Sequence, residues 1–321
     1  INSIGYRPQD FNVNECTVVT SLIEQQKSIR ETDFSALEDD EIDRISVSHQ
    51  STVFGYACYH TPELMPLPIA LANALARQLM QVRSRLDYVS PDCTTQVGIQ
   101  FENGVPKRIH SMTLIIGCNN PDAPPQLLRM EEDLRHFVIA PVFADAPFKP
   151  DALTEIVVNP SGPFVRSGPN AHSGMTGRKS DSDTYGSFAR HSGAALSGKA
   201  PSRIDRVGVY AARHAAKNIV AAGLAKQCEV QLSYSLGHAG PVSVLLNTQG
   251  SGRCSDEEIR KRLLRHFDFR LGCIVRDFQL RQLPAMHKGK FYQQLPVMGH
   301  FGDHALSLPW ENTDKAQLLA D

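Results

Sequence analysis

Long apolar runs and an excess of either charge are both missing from this sequence. No 18 consecutive residues are apolar, although 41% of the residues are hydrophobic, so we predict no membrane-spanning helix. Lys and Arg number 33 against 34 Asp and Glu, which argues against nucleic acid or an anionic membrane as a bulk partner. With 321 residues, the chain is long enough for two or three domains.

Signatures of disulfide scaffolds and zinc sites are missing as well. The seven cysteines are scattered, odd in number and without a C-x-x-C pair. This distribution favours reduced thiols. Nothing after Ile1 resembles a secretory signal peptide. We therefore expect a cytoplasmic protein.

Residues 160–206 contain few large apolar side chains and many glycines and serines. A polar segment of this length within a compact protein is usually functional or disordered. Spaced cations, from Arg178 and Lys179 to Lys199 and Arg203, alternate here with glycine turns. Glycines let backbone N–H groups approach a ligand, and lysine and arginine neutralise oxyanions. This composition is typical of a loop that wraps an anion, and we call residues 160–206 the cationic loop.

Part of this segment fits a phosphate-loop pattern, Gly193-x-x-x-x-Gly198-Lys199, with Ala200 where Ser or Thr would reach Mg²⁺. That pattern needs a strand directly before it, and residues 183–191 make a poor strand. An anion-binding loop of another kind therefore fits better than the loop of a nucleoside triphosphatase. A solvated surface loop is the remaining alternative.

An alanine-rich segment follows at 207–225, with apolar residues at helical spacing. Ser202 or Asp205 is expected to cap this helix. Its N-terminus would present free N–H groups and a positive dipole to the same anion. Asp205 could instead bind Mg²⁺ beside phosphates, and the residues alone leave its two roles equally open.

Periodicity predicts the other main elements. Amphipathic spacing predicts helices at 67–86, at 125–138 and from Ser255 onwards. Runs of β-branched and apolar residues predict strands at 14–24, 91–101, 110–117, 228–236 and 241–248. A strand–strand–helix order therefore occurs twice, which indicates an internal repeat with helices layered on sheets.

Several segments resemble one known family: GPNAHSGMTGRK, SDTYGSFARHSGAALSGKAPSRIDR, YAARHAAKNIVAAGLAKQCEVQLSYSLG and the closing GHFG and PWENTDKAQLL. They are similar to S-adenosylmethionine synthetase, also called methionine adenosyltransferase. HQSTVFGYA, near residue 50, resembles that family's GDQGLMFGYA. The resemblance implies an α/β (α+β) fold of three similar domains, and a dimer with active sites between subunits. It also implies a reaction in which the methionine sulfur attacks C5′ of ATP, and triphosphate leaves and is then hydrolysed.

The resemblance runs from Ile4 to the C-terminus. An HPDK motif, which binds ATP and Mg²⁺ in the family, is not in the printed sequence. We therefore expect a divergent member that lacks the N-terminal segment, with the first domain incomplete. The expected division is a remnant of a first or central α/β domain at 1–59, a second α/β domain at 60–163, and a C-terminal α/β domain with the phosphate-binding loop at 164–321.

The resemblance assigns most of the cationic loop to ATP and its phosphates. Catalytic positions of the family are matched by Lys199, Arg178 and Lys179. These three and a further group match nucleotide-binding positions, the further group being Asp92, Phe164 and Ala195. Asp205 matches a metal ligand, and Mg²⁺ and K⁺ are the implied cofactors.

The residues at the expected methionine-binding positions differ from those of the family. Gln26 matches a glutamine near methionine, but His49 and His172 stand where the family has aspartates. Arg203 replaces the lysine that holds the methionine carboxylate. Because an imidazole cannot restore a carboxylate that faces an ammonium group, we expect ordinary methionine binding to be weakened.

Three functions stay open at this point. The chain is a working synthetase, or a relative with a different second substrate, or a catalytically impaired homologue that serves as a structural or regulatory subunit. The expected small-molecule partners are ATP or another oligophosphate, and methionine or a different small substrate. The expected protein partner is a second copy, in a homodimer or homotetramer, or else a homologous chain.

Overall fold

A computed structural model describes residues 2–23, 33–119, 122–165, 167–169, 171, 177, 179–302 and 305–320. The chain forms two compact units. The first unit comprises Ile1–Glu24 with Leu67–Met175, and the second comprises Gln25–Pro66 with Thr176–Asp321. The division into three domains at 1–59, 60–163 and 164–321 stays a prediction.

The described residues form six strands and several helices. The strands are β1 Ser51–Cys58, β2 Val89–Glu102, β3 Val105–Cys118, β4 Glu155–Val158, β5 Gln227–Tyr234 and β6 Ser243–Asn247. The longer helices are α1 Leu67–Val82, α2 Leu127–Leu134, α3 Ile204–Ala221, α4 Asp256–His266 and α5 Leu271–Asp277. Shorter α-helices lie at Asp39–Ile42, Ala140–Phe143, Ser180–Asp183, Leu283–Met286, Phe291–Gln294 and Ala316–Ala320. A π-helical turn spans Arg135–Ile139, and 3₁₀ turns span Asn2–Ile4, Val13–Glu15, Phe34–Ala36, Leu295–Val297 and Pro309–Glu311.

The first unit is a three-stranded sheet in the order β2-β3-β4, covered by helices. β2 and β3 pair antiparallel, whereas β4 joins β3 in parallel. Along α1, Leu71, Leu75 and Leu79 recur every four residues and are buried, which places one apolar face of the helix against β2. Met130 and Leu134 of α2 belong to the same core.

The second unit is built on an antiparallel sheet in the order β1-β5-β6. α3 crosses β1 and β5 and is buried along nearly its whole length, including the charged side chains of Arg206, Arg213 and Lys217. Gly55 of β1 makes this contact possible. A Cβ at that position would lie 2.0 Å from the backbone carbonyl carbon of Ala212, so a larger residue would push α3 off the sheet.

Most of the predicted elements are confirmed, and so is the mixed α/β fold class. In each unit a helix precedes a two-stranded antiparallel hairpin and another helix follows it, α1-β2-β3-α2 in the first and α3-β5-β6-α4 in the second. α4 begins where predicted, because Ser255 accepts a hydrogen bond from the backbone N–H of Glu258. No helix among the described residues is both long and apolar enough to cross a membrane.

The strand predicted at 14–24 is wrong for the residues that the structure describes there, 14–23. Val13–Glu15 form a 3₁₀ turn, and the residues after it are neither helix nor strand. Val18, Val19, Leu22 and Ile23 are 82–90% exposed. A β-rich sequence becomes a strand only beside a partner strand, and no described strand pairs with this segment.

Candidate functional site

The N-terminus of α3 lies where the cationic loop ends. Gly198, with a φ of +78°, makes the left-handed turn that precedes Lys199. Arg203 is the N-cap residue and has an extended backbone, and its side chain makes no capping hydrogen bond. The predicted cap by Ser202 or Asp205 is therefore wrong. Asp205 lies inside the first helical turn, where the helix dipole stabilises a negative charge.

Four side chains of the second unit surround the carboxylate of Asp205. Its Oδ2 accepts hydrogen bonds from Lys199 Nζ and from His49 Nε2, both at 2.8 Å, and Arg203 Nε lies 3.5 Å away. Its Oδ1 accepts a hydrogen bond from Ser51 Oγ at 2.8 Å. We call these five residues the Asp205 cluster. Four of them, all but Ser51, are site residues predicted from the sequence.

The charges of the Asp205 cluster are partly shielded from water. The side chain of Asp205 is 9% exposed, and those of His49 and Lys199 are 22% and 24% exposed. Burial raises the pKa of Asp205, but the hydrogen bonds from Lys199, Ser51 and His49 outweigh it and lower the pKa to about 2. A shift of this size corresponds to roughly 2 kcal/mol in favour of the ionised form. The cluster therefore contains a carboxylate at any physiological pH.

A network of hydrogen-bonded, buried side chains fixes the backbone of Lys199. Arg206 Nη1 donates to the backbone carbonyl of Lys199 at 2.7 Å, and Arg206 Nε donates to the hydroxyl of Tyr210 at 3.0 Å. That hydroxyl lies 2.7 Å from Nδ1 of His300, whose Nε2 is 3.2 Å from Ser197 Oγ. Both ends of the Ser197–Lys199 turn are thus fixed to buried side chains. This arrangement pre-organises the cationic loop.

Gly177 brings a second part of the cationic segment to the loop. Its φ is +76°, and a Cβ there would lie 2.1 Å from the Cβ of Ala195, so only glycine fits. Ala195 itself is half-buried. Lys179 is exposed and directly precedes the helix Ser180–Asp183. Residues 183–191 contain no strand, so the strand that a nucleoside-triphosphatase phosphate loop requires is not there.

Two predicted nucleotide contacts lie in the first unit. Asp92, on β2, accepts hydrogen bonds from the hydroxyl of Tyr6 at 3.0 Å and from the backbone N–H of Gly168. Burial, followed by the contact with Asp92, raises the pKa of Tyr6 to about 12. Phe164 is anchored by its carbonyl, which accepts a hydrogen bond from the backbone N–H of Cys118 at 2.8 Å, and the Phe164 side chain is 42% exposed.

Three predicted site residues lie outside the described residues, namely Gln26, His172 and Arg178. Conversely, sequence reasoning missed Ser51, Arg206, Tyr210 and His300 as parts of the site. A signal existed for Ser51 alone. It stands only two positions after His49, at the first residue of β1, so a site built around His49 has Ser51 close by in sequence.

The Asp205 cluster does not fit a metal ion in this arrangement. Lys199, His49 and Ser51 already donate hydrogen bonds to the carboxylate oxygens, and the positive charges of Lys199 and Arg203 beside Oδ2 would repel a cation. Among the described residues, no group of three or more His, Cys, Asp or Glu is arranged to hold a metal. That Asp205 binds Mg²⁺ stays a prediction from resemblance.

Comparison with known proteins decides the family. The central-domain model of S-adenosylmethionine synthetase matches residues 44–164, and the C-terminal-domain model matches residues 166–312. An S-adenosylmethionine synthase of Synechococcus sp. (strain JA-2-3B'a(2-13)) is 46% identical over 100% of this chain and 81% of its own length. The chain belongs to the S-adenosylmethionine synthetase family.

Other members of the synthetase family match at similar levels. The S-adenosylmethionine synthase of Gloeobacter violaceus (strain ATCC 29082 / PCC 7421) is 46% identical over 99% of this chain and 80% of its own length. That of Acaryochloris marina (strain MBIC 11017) is 44% identical over 99% of this chain and 80% of its own length. All five residues of the Asp205 cluster lie within the segments that the two domain models match.

Proposed function

We propose that this chain transfers adenosyl from ATP to a sulfur nucleophile in the manner of S-adenosylmethionine synthetase. The observation that carries the proposal is the convergence of Lys199, Arg203 and Asp205 on a pre-organised loop at the N-terminus of a buried helix. Charge-assisted contacts of this kind are worth about 1.5–3 kcal/mol each to a bound anion. The loop suits the three phosphates of ATP better than it suits a neutral ligand.

The proposed reaction assigns each group a task. The methionine sulfur attacks C5′ of the ribose, the bond between C5′ and oxygen breaks, and triphosphate leaves with the bonding electron pair. Lys199, with Arg178 and Lys179, neutralises the charge that develops on triphosphate, and water then hydrolyses it. Asp92, Phe164 and Ala195 complete the proposed nucleotide contacts. Mg²⁺ and K⁺ are the proposed cofactors and would supply further charge neutralisation, but no step is assigned to them because the Asp205 cluster does not fit a metal as it stands.

One observation favours a second function, in which the second substrate differs or the activity is impaired. His49 stands where the family has an aspartate, and its Nε2 is committed to Asp205. It therefore offers no negative charge to the ammonium group of methionine. Gln26, His172 and Arg203 are the other proposed contacts of this substrate. The chain would then serve as a structural or regulatory subunit, or accept a substrate without that ammonium group.

Product analysis tests the first function. We expect the protein, incubated with ATP, methionine, Mg²⁺ and K⁺, to form S-adenosylmethionine, which is detected by mass spectrometry. Lys199→Gln should reduce turnover by roughly ten-fold or more, because it removes a cation that faces the leaving group. Lys226→Gln is the matched control, since Lys226 is exposed and lies outside the loop. Failure of the unmodified protein to form any product would exclude the synthetase reaction for this chain alone.

Methionine titration tests the second function. In the presence of a non-hydrolysable ATP analogue, we expect His49→Asp with His172→Asp to bind methionine roughly ten-fold more tightly than the parent, since each carboxylate can pair with the ammonium group. His110→Asp with His238→Asp makes the same change of charge at two exposed sites and should have no effect. Equal, tight binding by the parent and the first double variant would show that these histidines leave methionine recognition intact.

A further inference from the structure

Hydrogen-bond donors of the protein occupy most of the acceptor sites of the Asp205 carboxylate. An oxygen of a carboxylate has about two lone-pair sites. Oδ2 already accepts from Lys199 and His49, with Arg203 at the edge of hydrogen-bond range, and Oδ1 accepts from Ser51. Most lone-pair sites of this carboxylate are therefore used by donors of the protein itself.

The charges around Asp205 do not cancel. Lys199 and Arg203 each carry one positive charge and Asp205 carries one negative charge, so the three sum to +1 before His49 is counted. An excess of cations around one buried acceptor is the arrangement expected of a site for an anion with several oxygens. In this structure a carboxylate oxygen of the protein accepts the hydrogen bonds that an oxygen of such an anion would accept.

We propose that Asp205 is an internal counter-ion, which competes with an oligophosphate for Lys199 and His49. Binding of the oligophosphate then proceeds by exchange. Lys199 Nζ leaves Oδ2 of Asp205 and takes a phosphate oxygen in its place, while Ser51 keeps Oδ1 in position. This inference rests on the proposed anion-binding function of the loop, and it makes Asp205 a positioning residue that sets the affinity of the site. It differs from the metal-ligand role that the family resemblance implies.

The two roles predict opposite effects of removing the negative charge. If Asp205 is a counter-ion, Asp205→Asn frees Lys199 and His49 and strengthens anion binding even when divalent cations are absent. If Asp205 acts through Mg²⁺, the same variant binds the free anion no better than the parent and weakens binding of the anion with Mg²⁺. Inorganic tripolyphosphate is the probe, since it carries the charge of the proposed leaving group without the adenosine contacts.

The experiment is isothermal titration of the full chain with tripolyphosphate in EDTA. We expect Asp205→Asn to bind roughly ten-fold or more tightly than the parent, the size of one charge-assisted contact. Asp151→Asn is the matched control. It removes the same charge from a residue that pairs with Arg108 in the first unit, and it should not change the affinity. Thermal melts confirm that each variant folds, and Asp205→Ser replaces Asp205→Asn if that variant does not.

The possible outcomes separate the inference from the function on which it rests. Tighter binding by Asp205→Asn or Asp205→Ser, with the control unchanged, supports the counter-ion. Binding by the parent that is equal to or tighter than that of the variant overturns the inference but keeps the anion site. If neither the parent nor the variants bind tripolyphosphate, the anion site and the inference both fail. An equal gain in Asp151→Asn would reduce the effect to net charge and also overturn the inference.

Discussion

Asp183 is a second buried carboxyl group near the cationic loop, and its environment is the reverse of that of Asp205. It is 6% exposed, and its backbone carbonyl accepts a hydrogen bond from the N–H of His300 at 2.8 Å. Burial raises the pKa of Asp183 to about 6, although the positive charge of Arg206 opposes the shift. Asp205 has a lowered pKa because three donors hold its charged form. The comparison shows that hydrogen-bond donors, and not burial alone, decide whether a carboxylate is tolerated here.

The raised pKa of Asp183 predicts a pH-dependent effect on stability. The native state holds this proton more tightly than the unfolded state, so Asp183 costs free energy above pH 6, and the cost disappears as pH falls towards 4. We expect Asp183→Asn to raise the free energy of unfolding by roughly 1–3 kcal/mol at pH 8. The gain should shrink through the window from pH 6 to pH 4.

Urea titrations at pH 8, 6 and 4 measure this effect. Asp122→Asn is the control, since Asp122 is exposed and its removal should change little at any of the three pH values. A loss of stability in Asp183→Asn at pH 8 would contradict the prediction. It would mean that the carboxylate forms a favourable ion pair with Arg206 that outweighs its burial.

At the scale of elements, periodicity predicted the helices well and their ends poorly. α1 and α3 were predicted at 67–86 and 207–225, and they span Leu67–Val82 and Ile204–Ala221. The start of α3 was missed because Asp205 is a good capping residue by type. In the structure its oxygens are taken by Lys199, His49 and Ser51, so it stabilises the loop rather than the helix end.

The candidate site was predictable only in part. The resemblance identified Lys199, Arg203 and Asp205 within seven residues of one another, so their proximity was expected. The contact between His49 and Asp205 joins residues 156 positions apart, and it depends on how α3 crosses β1. No spacing in the sequence reports such a crossing. The support of Lys199 by Arg206, Tyr210 and His300 was likewise beyond prediction, since buried polar side chains have no periodicity of their own.

On the scale of the whole molecule, the second unit's sheet packs one face against α3, and on the opposite face the described residues leave Phe54 and Leu245 only partly buried. Because Gly55 faces α3, its neighbour Phe54 lies on the opposite face. The register places Gln231 beside Phe54 and Leu245 beside Gln231, which makes one row across β1, β5 and β6. Leu245 is 55% exposed. The row mixes apolar and amide groups, as the polar yet partly apolar surfaces of protein–protein interfaces do.

We expect this face to bind a second copy of the chain, in line with the dimer that the family resemblance implies. Burying a leucine contributes about 1.5–3 kcal/mol, and a symmetric dimer buries Leu245 twice. Leu245→Asp should therefore raise the dissociation constant of the dimer by at least roughly a hundred-fold, which sedimentation velocity at micromolar concentration detects as a shift to the 35.4 kDa monomer. Leu128→Asp is the matched control, because Leu128 is 68% exposed on α2 of the first unit. A parent protein that sediments as a stable monomer, or a dimer that survives Leu245→Asp, would show that this sheet face is not the interface.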